Sequence, residues 1–221
     1  MRYAVYLTPP KGSALAQNAA LWLGRDAFSG AAHTPAAPEA ANASVPARYG
    51  FHATMRAPFR LKPGESVAAI HNAVAALNSA HAPVTVTLKV ACLSRFVALI
   101  AHHNAALVPL HEAALHAAEP FRAPLTEAER ARRKPAELDA RGLELLDRYG
   151  YPHILERFLF HMTLSGPLEE AAIPAVEAAA NAHFATEVNT PLNLVFAVFA
   201  EAETGGPFTI LKSPQPTANP S

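Results

Sequence analysis

Two short segments each place an imidazole two residues before a hydroxyl. Phe51-His52-Ala53-Thr54-Met55 and Phe160-His161-Met162-Thr163-Leu164 share one pattern: aromatic, His, apolar, Thr, apolar. On a strand, side chains two apart point the same way. His52 and Thr54 then share one face, and Phe51, Ala53 and Met55 point to the other, into a core. The same holds for His161 and Thr163 against Phe160, Met162 and Leu164. An imidazole gives or takes a proton near neutral pH, and a hydroxyl donates a hydrogen bond to an anionic oxygen. Two such pairs facing each other make a site for one phosphate. One His takes a proton from water and the other gives one to the leaving alcohol, while Thr54 and Thr163 hold the non-bridging oxygens. The symmetry leaves open which His is acid and which is base, and the chemistry calls for no metal or other cofactor.

The elements that must carry these residues follow from pattern. Arg2–Leu7 and Phe51–Phe59 read as strands, Val84–Ala91 alternates strongly, and Phe96–Ala101 is its hairpin partner across Ser94-Arg95. Phe158–Leu164 is the second motif strand, and Leu192–Ala202 with Phe208–Lys212 closes the chain as a hairpin. Helices are expected over 13–23 with Ser13 as cap, and over 67–80, 105–118, 135–149 and 169–184. Thr34–Pro46, rich in Ala and Pro, reads as an irregular loop. Each half runs strand, helix, strand pair, which gives α+β with antiparallel sheets and helices packed outside. Residues 1–213 read as a single two-lobed domain and 214–221 as a disordered tail.

Composition limits the partners. Of 221 residues, 51% are apolar and 16% charged, so the chain folds around a core. Eighteen basic residues balance eighteen acidic ones, which argues against long nucleic acid gripped through its phosphates. Cys92 is the single cysteine, so no disulfide framework or cysteine zinc cluster forms within the chain. With no apolar run near membrane length and no signal-like start, a cytoplasmic protein with no membrane partner is expected. The expected partner is a small phosphorylated substrate, with a nucleotide or RNA end as a further candidate.

Other residues carry weaker signals. Arg56, at i+4 from His52, would share its face and clamp a phosphate. Ser165, at i+4 from His161, follows the same logic. Tyr49 and Tyr151, each beside a glycine ahead of a motif strand, are candidates for stacking on a ribose or base. Tyr3 and Tyr6 fall on opposite faces of the first strand, where core packing is the favoured role for each. Arg130, Arg132, Arg133 and Lys134 form a basic run among Glu127, Glu129 and Glu137. It reads first as a solvated helix end, and functionally as a gate for a second phosphate, a role for which Arg157 competes. His111-Glu112 with His116 imitates a zinc helix. But five residues turn about 140° around a helix, too far for one metal.

The two HxT motifs, half a chain apart, resemble those of the 2H phosphoesterase superfamily. The wording YGFHATMRAPF and YGYPHILERFLFHMTLSGPL, with RYAVYLTP at the start and WLGRD after the first helix, is similar to a bacterial branch associated with phosphonate metabolism. The resemblance implies a bilobal fold in which two pseudo-symmetric antiparallel sheets line a central cleft. It also implies metal-independent opening of 2′,3′-cyclic phosphates or related diesters. His52 and His161 match the motif histidines, and Thr54 and Thr163 the motif hydroxyls. The phosphonate association points to 5-phosphoribosyl 1,2-cyclic phosphate as a substrate. The rival readings are a catalytically idle nucleotide or RNA-end binding module, and a histidine-based metal hydrolase.

Overall fold

A computed structural model describes residues 1–211. The expected tail, 214–221, lies outside the described residues. Among the described residues there are seven strands: β1 (Arg2–Thr8), β2 (Ala53–Phe59), β3 (Val84–Leu93), β4 (Phe96–Ala101), β5 (His161–Thr163), β6 (Pro191–Glu201) and β7 (Phe208–Ile210). Their order is β1-β2-β5-β4-β3-β6, and β6 returns to pair with β1. Every pairing is antiparallel. The result is a six-stranded antiparallel barrel, with β7 added alongside β6. β6 closes it because it is long: Pro191–Leu194 pair with β3, and Val195–Glu201 pair with β1. Closure leaves few unpaired strand edges. The mixed helix-and-strand class matches the expectation. The two separate sheets do not appear as such, because Ala53 opposite Met162 joins the halves through their motif strands.

Helices cover one face of this ring: α1 (Ala14–Leu23), α3 (Val67–His81), α4 (Val108–Ala118) and α7 (Ile173–His183), with α2 (Ser44–Tyr49), α5 (Glu127–Ala131) and α6 (Ala140–Tyr149) elsewhere. Val5, Leu7, Met55, Leu88, Leu99 and Met162 meet Trp22, Ile70, Val74, Ala114 and Phe184 in the main core. Each of the larger aliphatic and Phe side chains here contributes about 1.5–3 kcal/mol by leaving water. The indole of Trp22 also donates to the Leu164 carbonyl at 2.9 Å, which ties α1 to the end of β5. Ser13, Ser66 and Asp139 cap α1, α3 and α6 through their side chains, each satisfying a free N–H of the first turn.

Three expectations change. The helix expected over 135–149 starts only at Ala140, because Lys134 adopts φ 49° and Asp139 begins a new cap; Pro135–Glu137 form a 3₁₀ turn. The strand expected over 158–164 keeps only His161–Thr163 in the ladder. The stretch expected as an irregular loop over 34–46 contains a 3₁₀ turn, Pro38–Ala43, that runs into α2.

Candidate active site

β2 and β5 are neighbours running in opposite directions, with Ala53 directly opposite Met162. The register therefore sets His52 across from Thr163, and Thr54 across from His161. Such cross-strand pairs hold their Cβ atoms about 5 Å apart. Phe51, Ala53, Met55, Phe160, Met162 and Leu164 are buried, and the four polar residues are half-buried. The alternation read from sequence thus holds at both motifs, although His52 stands just before the first paired residue of β2.

The imidazoles are held alike. His52 Nδ1 lies 2.8 Å from the Gly50 carbonyl, and His161 Nδ1 lies 2.7 Å from the Leu159 carbonyl, each two residues back. A carbonyl only accepts, so Nδ1 carries the proton in both rings and Nε2 is left as the reactive nitrogen. Thr54 Oγ1 donates to His52 Nε2 at 3.1 Å. Gly50 has φ 76°, and a Cβ there would come within 2.7 Å of Ala27 Cβ and 3.3 Å of Phe199 Cε1. Only glycine lets the chain turn tightly enough to aim that carbonyl at His52. Thr8 steadies the same approach by donating to the Phe51 carbonyl at 2.9 Å.

Tyr6 stacks on His52, with ring centroids 3.7 Å apart and planes 18° apart. Burial, with help from the nearby charge of His161, pushes His52 down to about 4, although the Gly50 hydrogen bond opposes it. At neutral pH His52 is therefore an uncharged base. Burial likewise raises the Tyr6 phenol.

Both motifs open on a cavity of about 970 Å³ whose walls include Tyr6, His52, Thr54, Phe96, His161 and Thr163. Six arginines also line it: Arg2, Arg48, Arg60, Arg132, Arg133 and Arg157. Arg2 and Arg48 both pair with Glu201. Burial works against ionisation at Glu201, yet these two bonds and the Gly205 N–H hold its carboxyl down at about 2. Arg60 pairs with Glu129, and Arg157 with Asp139.

Tyr49, Tyr151 and Arg157 line the cavity. Arg56 and Ser165 do not. Tyr6 pairs with Thr54 but Val5 pairs with Arg56, so Met55 is an extra residue, a bulge that flips the alternation. Arg56 then follows Val5 away from the cavity. It is 1% exposed and donates to Glu119 at 2.9 Å and to the Tyr149 carbonyl at 2.8 Å. Ser165 is fully buried, accepting from the Val97 N–H and donating to the Gly166 carbonyl. Tyr6 goes the other way: its odd spacing from Tyr3 placed it on the opposite strand face, and that face turns out to hold His52. Tyr3 stays in the main core. Among the described residues no group of three or more His, Cys, Asp or Glu could hold a metal ion.

Residues 54–209 match the family model DUF1045, described as a protein of unknown function. The chain belongs to the DUF1045 family. It is also similar to two curated proteins, both named ribose 1,5-bisphosphate phosphokinase PhnN. One, from Laribacter hongkongensis (strain HLHK9), is 38% identical over 217 residues, which cover 96% of this chain and 51% of that protein. The other, from Janthinobacterium sp. (strain Marseille), is 37% identical over 223 residues, 94% of this chain and 49% of that protein. The chain thus spans about half the length of the curated relatives it matches. The DUF1045 match begins at Thr54 and takes in the second motif whole, so it includes Thr54, His161 and Thr163. No helix among the described residues is long and apolar enough to cross a membrane.

Proposed function

We propose that this DUF1045 member hydrolyses a small cyclic phosphodiester, with His52 and His161 as base and acid. The observation that carries the reading is the matched pair of imidazoles. Each is locked in the same tautomer by a backbone carbonyl, and each stands across a strand pair from the other motif's threonine. The burial that keeps His52 uncharged fits it for the base, which leaves His161 as the acid. Water attacks phosphorus while His52 Nε2 takes its proton. The bond from phosphorus to one ring oxygen breaks, and that oxygen leaves with the second proton of His161, which as the acid starts the step as an imidazolium, protonated on Nε2 as well as on Nδ1. Thr54 and Thr163 donate to the non-bridging oxygens as charge grows on them. Thr54 turns from His52 Nε2 to the phosphate when substrate binds. The likeness to the 2H phosphoesterases is part of this proposal.

The substrate favoured is 5-phosphoribosyl 1,2-cyclic phosphate, in keeping with a place in phosphonate metabolism. Breaking its bond between phosphorus and the 2-oxygen yields ribose 1,5-bisphosphate, the compound in the name of both curated relatives. The test is turnover of cyclic phosphates followed by phosphorus NMR, with excess chelator present. His52→Ala and His161→Ala should each lower kcat by about 100-fold or more, the usual worth of a positioned acid or base. Full activity in the double variant overturns the mechanism, and so does loss of turnover on adding chelator. Binding without turnover would instead mark an idle nucleotide or RNA-end module.

A further inference from the structure

The basic run at the end of α5 and just beyond it divides in two. Arg130 pairs with Asp147 at 3.0 Å and Lys134 with Glu137 at 3.0 Å, all four side chains well exposed. Arg132 and Arg133 line the cavity instead, and among the described residues neither makes an ion pair. The other four cavity arginines all have carboxylate partners. Arg133 is half-buried and lies over the ring of Tyr151, 4.8 Å from its centroid. Stacking holds a guanidinium flat and leaves the edge that carries its N–H donors clear. Half-burying a charge with no counter-charge is costly, so this arrangement suits a site whose ligand supplies the anion. His153 also lines the cavity: desolvation lowers its proton affinity, and the charges of Arg157, Arg133 and His161 lower it further. The volume, about 970 Å³, is at the upper end for small-molecule sites and more than one phosphate needs.

We infer that Arg133, stacked on Tyr151 and assisted by Arg132, binds a second phosphate group of the substrate, away from the one that reacts between His52 and His161. Arg133 is then the residue that selects doubly phosphorylated sugars, an inference that rests on the hydrolase reading. Two substrates separate the two ideas: a ribosyl 1,2-cyclic phosphate with a 5-phosphate and the same compound without it. The enzyme should prefer the phosphorylated one. Arg133→Gln should lower the ratio of the two kcat/KM values about 30-fold, the worth of a charge-assisted bond to a phosphate, and Arg133→Lys should restore part of it. Arg130→Gln, outside the cavity, should leave the ratio unchanged. An Arg133→Gln ratio equal to that of the wild type overturns the inference while the hydrolase reading stands. Should neither substrate turn over, calorimetric binding of ribose 5-phosphate decides: affinity lowered about 30-fold by Arg133→Gln supports the subsite although the hydrolase reading has failed, and unchanged affinity overturns it.

Discussion

At the scale of single residues, the site depends on an aromatic wall. His52 is kept uncharged chiefly by burial, and the nearest aromatic ring to it is that of Tyr6, with centroids 3.7 Å apart. If His52 is the base, the rate falls on the acid side only as this imidazole takes a proton, so that limb lies near pH 4. Tyr6→Leu admits water to the ring, eases the desolvation and raises His52 toward the ordinary value near 6.5. The acid limb of kcat/KM should move up by about one pH unit, with a smaller change in kcat at the plateau. An unmoved limb would remove Tyr6, or His52, from the base's role. Tyr6 differs from Tyr49 and Tyr151, which line the cavity without such close contact with a motif His; Tyr49 is 6.4 Å from His52, centroid to centroid.

At the scale of elements, β5 has only three residues in the ladder, so something else must hold the approach to His161. Asn104 does so: its amide nitrogen donates to the Phe158 carbonyl at 2.9 Å, and its amide oxygen accepts from the Phe160 N–H at 2.7 Å. It acts as a one-residue strand neighbour on both sides of Leu159, whose carbonyl orients His161. Asn78 makes the same two bonds to Phe196 on β6, at 2.8 and 2.9 Å, away from the motifs. Asn104→Ala and Asn78→Ala should each cost about 1–3 kcal/mol of stability, measured by chemical denaturation. Only Asn104→Ala should also lower kcat, by about tenfold or more, and equal kcat in the two variants would refute a positioning role. The elements legible in the sequence were those with strong local signals. Alternation gave β3, the apolar run after the Ser94-Arg95 turn gave β4, Ser13 marked the start of α1, and helical spacing gave α3. The motif faces followed from alternation as well. The Met55 bulge left no trace in residue type, because an apolar residue there suits either register; Arg56 was misplaced for that reason. The shortness of β5 was equally hidden, since Asn104 is 54 positions from the carbonyl it binds.

At the scale of the whole molecule, a formal charge of zero conceals groups whose proton affinity the fold has moved, and acid should reveal them in two stages. His52 and His111 each sit at about 4 in the folded chain, burial being the first cause in both. His111 is 1% exposed, stacks on Phe158 at 4.2 Å and accepts from the Leu155 N–H through Nε2. Unfolded, both would take up protons near pH 6.5. Between about 6.5 and 4 the unfolded chain therefore binds more protons, and stability falls as pH falls. Glu201 and Glu129 provide the second stage. Each is held at about 2, Glu129 mainly by its Arg60 bond and Glu201 by Arg2 and Arg48 against its own burial. Their contribution is present above the unfolded value near 4.5 and is lost as pH falls toward 2. Glu156, also held at about 2 by Arg141, is exposed, so salt should screen its share. Denaturant unfolding at pH 7, 5.5 and 4 should show a loss of about 1–3 kcal/mol for each histidine. His52→Phe and His111→Phe should each flatten the fall between 6.5 and 4, whatever they do to stability at pH 7, with His71 and His153, whose proton affinity the fold also lowers, supplying the remainder. A fall that keeps its full slope in the double variant would assign that stage to other groups, and the neutral state of His52 in the folded chain would lose its support.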